Sequence, residues 1–228
     1  MNPAPIAKGH NMPPKAILFD CDGVLVDSEA IVFDLLATDL AGHGLHLSRA
    51  EMEQKFLGGT IGGLFTTARG LGAKLPDDWV DVFYARMYAR LAQGTALIDG
   101  VVEVLDALDA AEISYAIGSN GSDQKMQITL GQHPAILARF NGQLFSGQTL
   151  GCPKPDPGLW LHAARALGVS PADCVVIDDS PTGCIGAARA GMRCLGLAEH
   201  DDGARLAATG AEVIASLRDI PARIGLTR

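Results

Sequence analysis

Residues 15–29 read KAILFDCDGVLVDSE, and this stretch decides the fold class and points to the chemistry. Four apolar residues, Ala16–Phe19, form a predicted buried strand, and Asp20, Asp22 and the turn residue Gly23 follow it. Buried strands of open α/β sheets carry their chemistry at their carboxyl ends. Two carboxylates held there repel each other unless a cation or a proton lies between them. The stretch therefore indicates a divalent-ion site, an acid/base pair or both, and an ordinary strand-end turn is the simpler alternative.

The composition predicts an aliphatic α/β protein. The chain has 228 residues, of which 48% are hydrophobic and only 5% aromatic. That length suits one large domain, or a core domain with a smaller insert. A core built from Ala, Leu, Val and Ile is typical of buried parallel strands flanked by Ala-rich helices.

The charge and the cysteines of the chain indicate which binding partners and which cellular location to expect. The formal net charge is -8 and no run of Lys or Arg is present, which argues against nucleic acid as a partner. No stretch reaches the roughly 18 apolar residues of a membrane span. Residues 1–14 contain four prolines and no apolar segment of the signal-peptide kind, so a disordered tail is expected there. Five cysteines without CxxC spacing favour reduced thiols and a cytoplasmic location, and a monomer or a weak homodimer is expected.

The order of predicted elements indicates a sheet core with a helical insert. Residues from Ser28 to about Gln93 carry only helical patterns, whereas strands and helices alternate from Asp99 onward. Such alternation implies a doubly wound, mostly parallel sheet with right-handed crossovers. Residues 15–27 and 96–228 are therefore expected to form the core, and residues 28–95 an inserted α-helical cap. The later predicted strands are Ser114–Ile117, Gln143–Phe145, Cys174–Ile177, Arg193–Leu197 and Glu212–Ile214.

Two further polar segments follow or flank predicted strands. The sequence GSNG at residues 118–121 places Ser119 before a helix, where a hydroxyl and backbone N–H groups make a phosphate site. An ordinary helix N-cap by Ser119 or Ser122 is the alternative. Lys154 lies between two prolines that stiffen the backbone on both sides. It is either a positioned cation or a solvated loop lysine.

A second pair of acids, Asp178 and Asp179, ends the apolar strand Cys174–Ile177. One of them as the cap of the next helix is the simpler interpretation. Ser180 or Thr182 could provide that cap as well. If one of the two acids were the cap, the other would still lack a partner. The pair therefore favours a metal site.

Together these segments supply the parts of a phosphoryl-transfer site: nucleophile, acid/base, phosphate donors, cation and Mg²⁺ ligands. In this combination the chain resembles the haloacid dehalogenase superfamily, whose members have a Rossmann-like catalytic core with a cap. It is most similar to the subgroup of β-phosphoglucomutases and small sugar-phosphate phosphatases, and residues 119–147 resemble bacterial 6-phosphogluconate phosphatases. The matching pieces are DCDGVLVDSE at Asp20–Glu29, GSNG at Gly118–Gly121, KPDP at Lys154–Pro157 and VIDDSPTGCIGAARAGM at Val176–Met192.

The resemblance implies a Mg²⁺-dependent phosphatase. Asp20 is the expected nucleophile, which forms an aspartyl-phosphate, and Asp22 is the expected acid and then base. The expected Mg²⁺ ligands are Asp20, Asp178, Asp179 and the backbone carbonyl of Asp22. Dehalogenases of the superfamily use one Asp and no metal, so the second acid and the Asp178–Asp179 pair favour the phosphatase branch.

The resemblance also implies roles for the other site residues. Lys154 is expected to neutralise charge on the transferred group, with Ser119 and Asn120 donating hydrogen bonds. Gly23 lets the backbone approach the phosphate closely. Asp27–Ser28 is the expected hinge between core and cap.

The cap loop Phe56–Ile61 is expected to face the active site, with Gly58, Gly59 and Thr60 contacting substrate. In β-phosphoglucomutases this loop resembles Gly-Val-Ser-Arg, and its Arg binds a second phosphate. Matching the glycine to Gly58 places Ile61 where that Arg would be, although Lys55 or Arg69 are nearby cations. Loss of the Arg favours hydrolysis of a small phosphorylated sugar or sugar acid.

Two alternatives stay open on the sequence. One is a sugar-phosphate mutase of the β-phosphoglucomutase type. The other is a non-enzymatic phospho-receiver, which also gathers acids at strand ends, but a receiver is about half this length and has no cap. The expected partner in the favoured interpretation is a small phosphorylated metabolite.

Overall fold

The computed structural model describes residues 13–226, so the tail predicted at residues 1–14 lies almost wholly outside the described residues. A six-stranded sheet forms the centre of the molecule, and all its neighbouring strands pair in parallel. The strand order is β3-β2-β1-β4-β5-β6, which confirms the predicted doubly wound α/β fold. The strands are β1 (Ala16–Phe19), β2 (Ser114–Ser119), β3 (Leu144–Ser146), β4 (Cys174–Asp178), β5 (Arg193–Leu197) and β6 (Glu212–Ile214).

Helices connect the strands and cover both faces of the sheet. No helix within residues 13–226 is both long and apolar enough to cross a membrane. The helices are α1 (Glu29–Gly42), α2 (Arg49–Phe56), α3 (Ile61–Gly70), α4 (Trp79–Leu91), α5 (Val101–Ala110), α6 (Asp123–Leu130), α7 (Pro134–Arg139), α8 (Gly147–Leu150), α9 (Gly158–Ala166), α10 (Pro181–Arg189), α11 (Ala204–Ala207) and α12 (Ile220–Arg223).

Strand β1 occupies the middle of the sheet and is buried along its whole length. It pairs with β2 on one side and β4 on the other, so Phe19 lies opposite both Ile117 and Ile177. Central parallel strands are covered on both faces, which is why all four residues of β1 are apolar. Because the three strands end within two residues of one another in register, the polar residues at their carboxyl ends meet at one edge of the sheet.

The segment between β1 and α5 contains helices α1 to α4 and has a hydrophobic core of its own. Its chain enters and leaves the sheet layer side by side: the Asp27 N–H donates to Ala96 O (2.9 Å), and the Ile98 N–H donates to Leu25 O (3.1 Å). This layer therefore meets the sheet layer through two adjacent crossings. The buried residues of its core include Phe33, Leu36, Leu40, Trp79, Phe83, Met87 and Leu91.

A paired arginine and glutamate join the edge strands β5 and β6. Arg193 donates from Nε to Glu212 Oε1 (2.6 Å) and from Nη2 to Glu212 Oε2 (2.8 Å). These hydrogen bonds from Arg193 hold the pKa of Glu212 below its usual value of 4.5. A lowered carboxyl pKa contributes stability above the unfolded-state pKa, and that contribution is lost as pH falls through the folded-state pKa.

We expect Glu212→Gln to lower the free energy of unfolding at pH 7 by about 0.5–1 kcal/mol, a small value because both side chains are partly exposed. The loss should shrink as the pH falls from 7 to about 3, because the wild-type carboxyl then takes up its proton. Urea unfolding at both pH values measures it, with Glu112→Gln on the surface as the matched control. An equal loss at both pH values would show that packing, not charge, is responsible.

Candidate active site

The ends of β1, β2 and β4 bring the predicted chemical residues to one cleft between the sheet edge and the helical layer. Asp20 follows β1, Ser119 ends β2 and Asp178 ends β4. The loop before α9 adds Lys154 to the same cleft. The helical layer closes the opposite side with the predicted cap loop, whose residues Gly58, Gly59 and Thr60 all line the cleft.

Lys154 is a buried cation held by two carboxylates. Its Nζ lies 2.7 Å from Asp20 Oδ1 and 2.8 Å from Asp178 Oδ2, and the residue is only 5% exposed. The ammonium also lies 4.4 Å from the centre of the buried Trp160 ring, a favourable cation–π contact. Both carboxylates raise the pKa of Lys154 further, although burial opposes them. Lys154 is therefore positioned, and the alternative of a solvated loop lysine is wrong.

Three carboxylates gather beside this lysine. Oxygen atoms of Asp20, Asp178 and Asp179 all lie within 4.8 Å of one another. Burial raises the pKa of Asp20 to about 7, an effect that Lys154 opposes and that Asp178 and Asp22 reinforce. Burial and the charges of Glu29, Asp178 and Asp20 also raise the pKa of Asp179 well above its usual value. Lys154 offsets only part of the repulsion among these hard oxygen donors, and their spacing fits a hard divalent cation such as Mg²⁺.

The loop after β4 settles which residue caps α10. The Gly183 N–H donates to Ser180 Oγ (3.2 Å), so Ser180 is the cap. The same hydroxyl and the Ser180 N–H donate to Asp178 Oδ1 at 2.7 and 2.9 Å. Neither acid is used as the cap. Ser180 and Lys154 instead orient the Asp178 carboxylate. The capping role that the sequence allowed for either acid is taken by Ser180.

Asp22 faces a different partner from Asp20. Its Oδ1 accepts from Lys125 Nζ at 2.7 Å and from the Ser28 hydroxyl, and Ser119 Oγ lies 3.4 Å from Oδ2. Burial alone would raise the pKa of Asp22, but the charge and hydrogen bond of Lys125 and the hydrogen bond from Ser28 outweigh it, so the pKa is lowered. Its side chain stands outside the three-carboxylate group, and the metal contact expected from its backbone carbonyl stays a prediction.

Ser119 and Asn120 have local structural partners. Ser119 Oγ accepts from the Gly121 N–H (2.9 Å), while Ser122 rather than Ser119 caps α6. The Asn120 amide donates from Nδ2 to Gly58 O (2.8 Å) and to Lys154 O (3.1 Å), and its Oδ1 accepts from the Lys154 N–H (2.7 Å). Both hydrogens of this amide are therefore used, so a phosphate contact from Asn120 in this arrangement comes from its backbone N–H.

Two glycines allow close approaches that a side chain would prevent. Gly23 has φ +76°, and a Cβ there would lie 2.1 Å from Asp179 Oδ2. Gly58 has φ +71°, and a Cβ there would lie 2.2 Å from Thr182 Oγ1. The Gly58 carbonyl accepts from Thr182 Oγ1 at 3.1 Å, in addition to its bond from Asn120. Its backbone thus joins the cap loop to Asn120, which follows β2, and to Thr182 in the first turn of α10.

The wall of the cleft formed by the helical layer is mostly apolar. Ile61 lines it at the position where the mutase arginine was expected. Arg69 does not replace that arginine, because its Nη2 donates to Leu75 O (2.6 Å) and Asp77 Oδ1 (2.7 Å). Neither Arg69 nor Lys55 is among the described residues that line the cleft. The apolar residues of this wall are Val32, Phe33, Leu36, Phe56, Leu57, Ile61, Leu64 and Met87.

Sequence reasoning missed four polar residues of the cleft: Lys125, Glu29, Tyr84 and Gln148. Burial and the neighbouring Asp22 raise the pKa of Glu29 to about 8. Glu29 ends the quoted motif at residues 20–29, whereas Lys125 lies outside the quoted motifs, three residues after the cap of α6. Tyr84 Oη donates to Gln148 Oε1 (3.1 Å), a contact between α4 and α8 that no sequence pattern signals.

Comparison with known proteins identifies the family of the chain. Residues 14–191 match the family model of the haloacid dehalogenase-like hydrolases. The chain is 33% identical to 6-phosphogluconate phosphatase of Escherichia coli over 78% of its length and 80% of that protein. It is 31% identical to phosphoglycolate phosphatase of Xylella fastidiosa, over 84% of this chain and 85% of that one.

A solved structure gives the same fold. The chain superposes on a haloacid dehalogenase family hydrolase from Deinococcus radiodurans, solved with bound phosphate and sodium, with a TM-score of 0.74 and 35% identity. The match covers 94% of this chain and 97% of that chain. A phospho-receiver is thereby excluded. With its buried Asp20–Lys154–Asp178 arrangement and these relatives, the chain belongs to the haloacid dehalogenase-like hydrolase family, as a phosphoric monoester hydrolase.

Proposed function

We propose that the protein is a Mg²⁺-dependent phosphatase that hydrolyses a small phosphorylated sugar or sugar acid through an aspartyl-phosphate on Asp20. The observation that carries this proposal is Lys154 Nζ, 2.7 Å from Asp20 Oδ1, beside the three-carboxylate group. This arrangement supplies a nucleophile, a fixed cation and hard oxygen ligands within one buried site. The names of the relatives support the substrate class.

In the proposed reaction Asp20 attacks phosphorus with a carboxylate oxygen, and the alcohol oxygen leaves. Asp22 gives a proton to that oxygen and later takes one from the water that hydrolyses the aspartyl-phosphate. Lys154 stabilises negative charge on the transferred group, because it is preorganised in a buried site where water does not screen it. Ser119 and the backbone N–H groups of the loop after β2 bind the phosphate oxygens.

Asp20, Asp178 and Asp179 would hold Mg²⁺, together with the Asp22 backbone carbonyl. When bound, the ion supplies charge neutralisation and orients a phosphate oxygen. Ser180 fixes the Asp178 carboxylate through two hydrogen bonds. Gly23 keeps space beside Asp179, since any side chain there would meet its carboxylate.

We expect removal of metal by a chelator to lower phosphate release at least about a hundredfold, and Mg²⁺ to restore it, because the three acids then repel each other and the phosphate. At a hundred times its dissociation constant, Mg²⁺ should also stabilise the wild type by about 2.7 kcal/mol and so raise its thermal unfolding temperature. The stabilisation should be lost in Asp178→Asn and kept in the exposed control Asp34→Asn. Full turnover by a verified metal-free enzyme would contradict the proposal.

Residues 28–95 are proposed to act as the cap, with Asp27–Ser28 as one hinge. The two adjacent crossings and the separate hydrophobic core of this layer support movement as a unit. Closure would exclude water while Asp20 attacks, and opening would release product. A phosphate mimic bound with Mg²⁺ should then reduce the radius of gyration and protect the amides of residues 58–61 from exchange.

The substrate is proposed to carry one phosphate. Ile61 and the apolar wall around it offer no charged partner for a second phosphate, which disfavours a mutase of the β-phosphoglucomutase type. With Mg²⁺ and β-glucose 1-phosphate, we expect slow release of inorganic phosphate without glucose 6-phosphate. Formation of glucose 6-phosphate without phosphate release would establish the mutase instead.

A panel of phosphorylated sugars, sugar acids and 2-phosphoglycolate, assayed for phosphate release with Mg²⁺, tests the activity. We expect at least one small substrate to be hydrolysed well above p-nitrophenyl phosphate. We propose a cytoplasmic enzyme, acting as a monomer or weak homodimer without nucleic-acid or membrane partners. The five thiols, none of them in a disulfide, support that compartment.

A further inference from the structure

The cleft contains a lysine that the proposed reaction does not use. Lys125 lies in the first turn of α6, and its Nζ lies 2.7 Å from Asp22 Oδ1. Its side chain is only 12% exposed, and it lines the cleft. Holding a lysine side chain in one position costs conformational entropy, so the contacts of Lys125 must offset that cost.

Lys125 and Lys154 are bound differently. The Lys154 ammonium is shared between Asp20 and Asp178, and it faces the nucleophile. Lys125 pairs with one carboxylate among the described residues, that of Asp22. An ammonium has three N–H donors, so two of those of Lys125 stay available for a ligand in the cleft.

The position of Lys125 corresponds to the leaving-group side of the reaction. Asp22 is the residue proposed to protonate the departing oxygen, so a cation bound to Asp22 lies next to the departing alcohol. On that side of the cleft the helical layer contributes the acid Glu29, the neutral polar side chains of Thr60 and Tyr84, and otherwise an apolar wall. Gln148 lies beside Tyr84. Of the described residues that line the cleft, Lys125 and Lys154 are the cations.

The backbone of α6 holds Lys125 in place before any substrate binds. The Lys125 N–H donates to Ser122 Oγ at 3.1 Å, and the Tyr88 hydroxyl of α4 lies 2.6 Å from the same oxygen. The Lys125 stem passes beside Gly121, where a Cβ would lie 3.4 Å from Lys125 Cδ. A donor fixed in this way binds a ligand with less loss of entropy than a free surface lysine.

Resting on the proposed function, we propose that Lys125 binds a carboxylate of the leaving group, so that the substrate class is phosphorylated sugar acids rather than neutral sugar phosphates. One ammonium with two available donors matches one carboxylate. A second phosphate dianion is instead bound best by the planar fork of an arginine, which the described lining of this cleft lacks. Lys125 is thus a specificity-determining residue that the sequence motifs alone do not identify.

Two matched pairs of substrates test this assignment. D-Gluconate 6-phosphate and D-glucitol 6-phosphate differ only at C1, which is a carboxylate in one and CH₂OH in the other. The pair 2-phosphoglycolate and 2-hydroxyethyl phosphate makes the same comparison in a short chain. We expect the wild-type kcat/KM to favour the carboxylate member of at least one pair by about tenfold or more, the size of a charge-assisted hydrogen bond.

Lys125→Met keeps an unbranched side chain, one heavy atom shorter, and removes its charge. The carboxylate-to-neutral ratio of kcat/KM should fall about tenfold or more in this variant and be partly restored in Lys125→Arg. Lys55→Met, a lysine of α2 outside the cleft lining, is the matched control and should keep the wild-type ratio. An equal fall for both members of each pair would mean that Lys125 only positions Asp22, and would overturn the proposal.

The wild type alone also decides the question, even if Lys125→Met fails to fold. Gluconate should inhibit hydrolysis of p-nitrophenyl phosphate more strongly than glucitol, whereas equal inhibition, or a kcat/KM ratio of one or less in both pairs, would overturn the inference. Failure of the proposed function has a separate signature: no phosphate is released from any of the five phosphate esters. That result would remove the basis of the inference as well.

Discussion

Asp20→Asn should abolish phosphate release while leaving the fold intact. The amide oxygen still accepts the hydrogen bond that Lys154 Nζ now donates to Asp20 Oδ1 at 2.7 Å. An amide is a far weaker nucleophile than a carboxylate, so we expect kcat to fall at least about 10⁴-fold, as loss of a covalent nucleophile does in other hydrolases. Stability should not fall, because the substitution removes one of several buried, mutually repelling acids.

The assay needs a control for the substitution and for contaminating phosphatases. Asp34→Asn makes the same chemical change on the exposed face of α1, where the Asp34 side chain is 85% exposed, and should retain full activity. Both variants, purified identically, are compared by phosphate release and thermal unfolding. Turnover of Asp20→Asn within tenfold of the wild type, with contamination excluded, would show that Asp20 is not the nucleophile.

Lys154→Met should damage both stability and catalysis. The change leaves Asp20 and Asp178 in a buried site without the cation that both now contact. Breaking a buried ion pair by removing one partner costs about 3–5 kcal/mol. The charge of Lys154 also lowers the pKa of Asp20 in the wild type, so its loss raises that pKa further. The variant should therefore be less impaired in stability at pH 5, where Asp20 takes up a proton, than at pH 8.

The same substitution should reduce kcat/KM at least about a hundredfold, because a preorganised charge facing the transferred phosphate is lost. Lys15→Met is the matched control, since Lys15 is an exposed lysine whose Nζ pairs with Asp173 at 2.9 Å. Urea unfolding at the two pH values and phosphate release measure the two effects. A variant as stable and as active as Lys15→Met would refute the role of Lys154.

Much of the sheet was predictable because its signals are local. An apolar run such as Cys174–Ile177 followed by two acids predicts both a strand and a strand-end site. Because parallel strands of one sheet end at a common edge, the positions of Asp20, Ser119 and Asp178 were implied by the topology. The predicted strands are confirmed, and so is the expectation that only helices occur between residues 28 and 93.

Short helices and long-range pairings escaped prediction. Helices α7 and α8 have six and four residues, too few to show a helical period. The Lys125–Asp22 pair joins residues far apart in sequence, and Lys125 alone reads as an ordinary helix lysine. The two hydrogen bonds donated by the Asn120 amide could not be predicted either, since they depend on where the loops carrying Gly58 and Lys154 meet.

The anchoring of the cap loop through the Gly58 carbonyl bears on how new specificities evolve. The two hydrogen bonds that join this loop to Asn120 and to Thr182 of α10 end on the main-chain oxygen of Gly58 and not on a side chain of the loop. The neighbouring side chains at Thr60 and Ile61 line the cleft without forming that anchor. Substitutions at these two positions can therefore change which substrates fit the cleft while the loop stays attached. Enzymes with different substrates can in this way inherit the same catalytic residues.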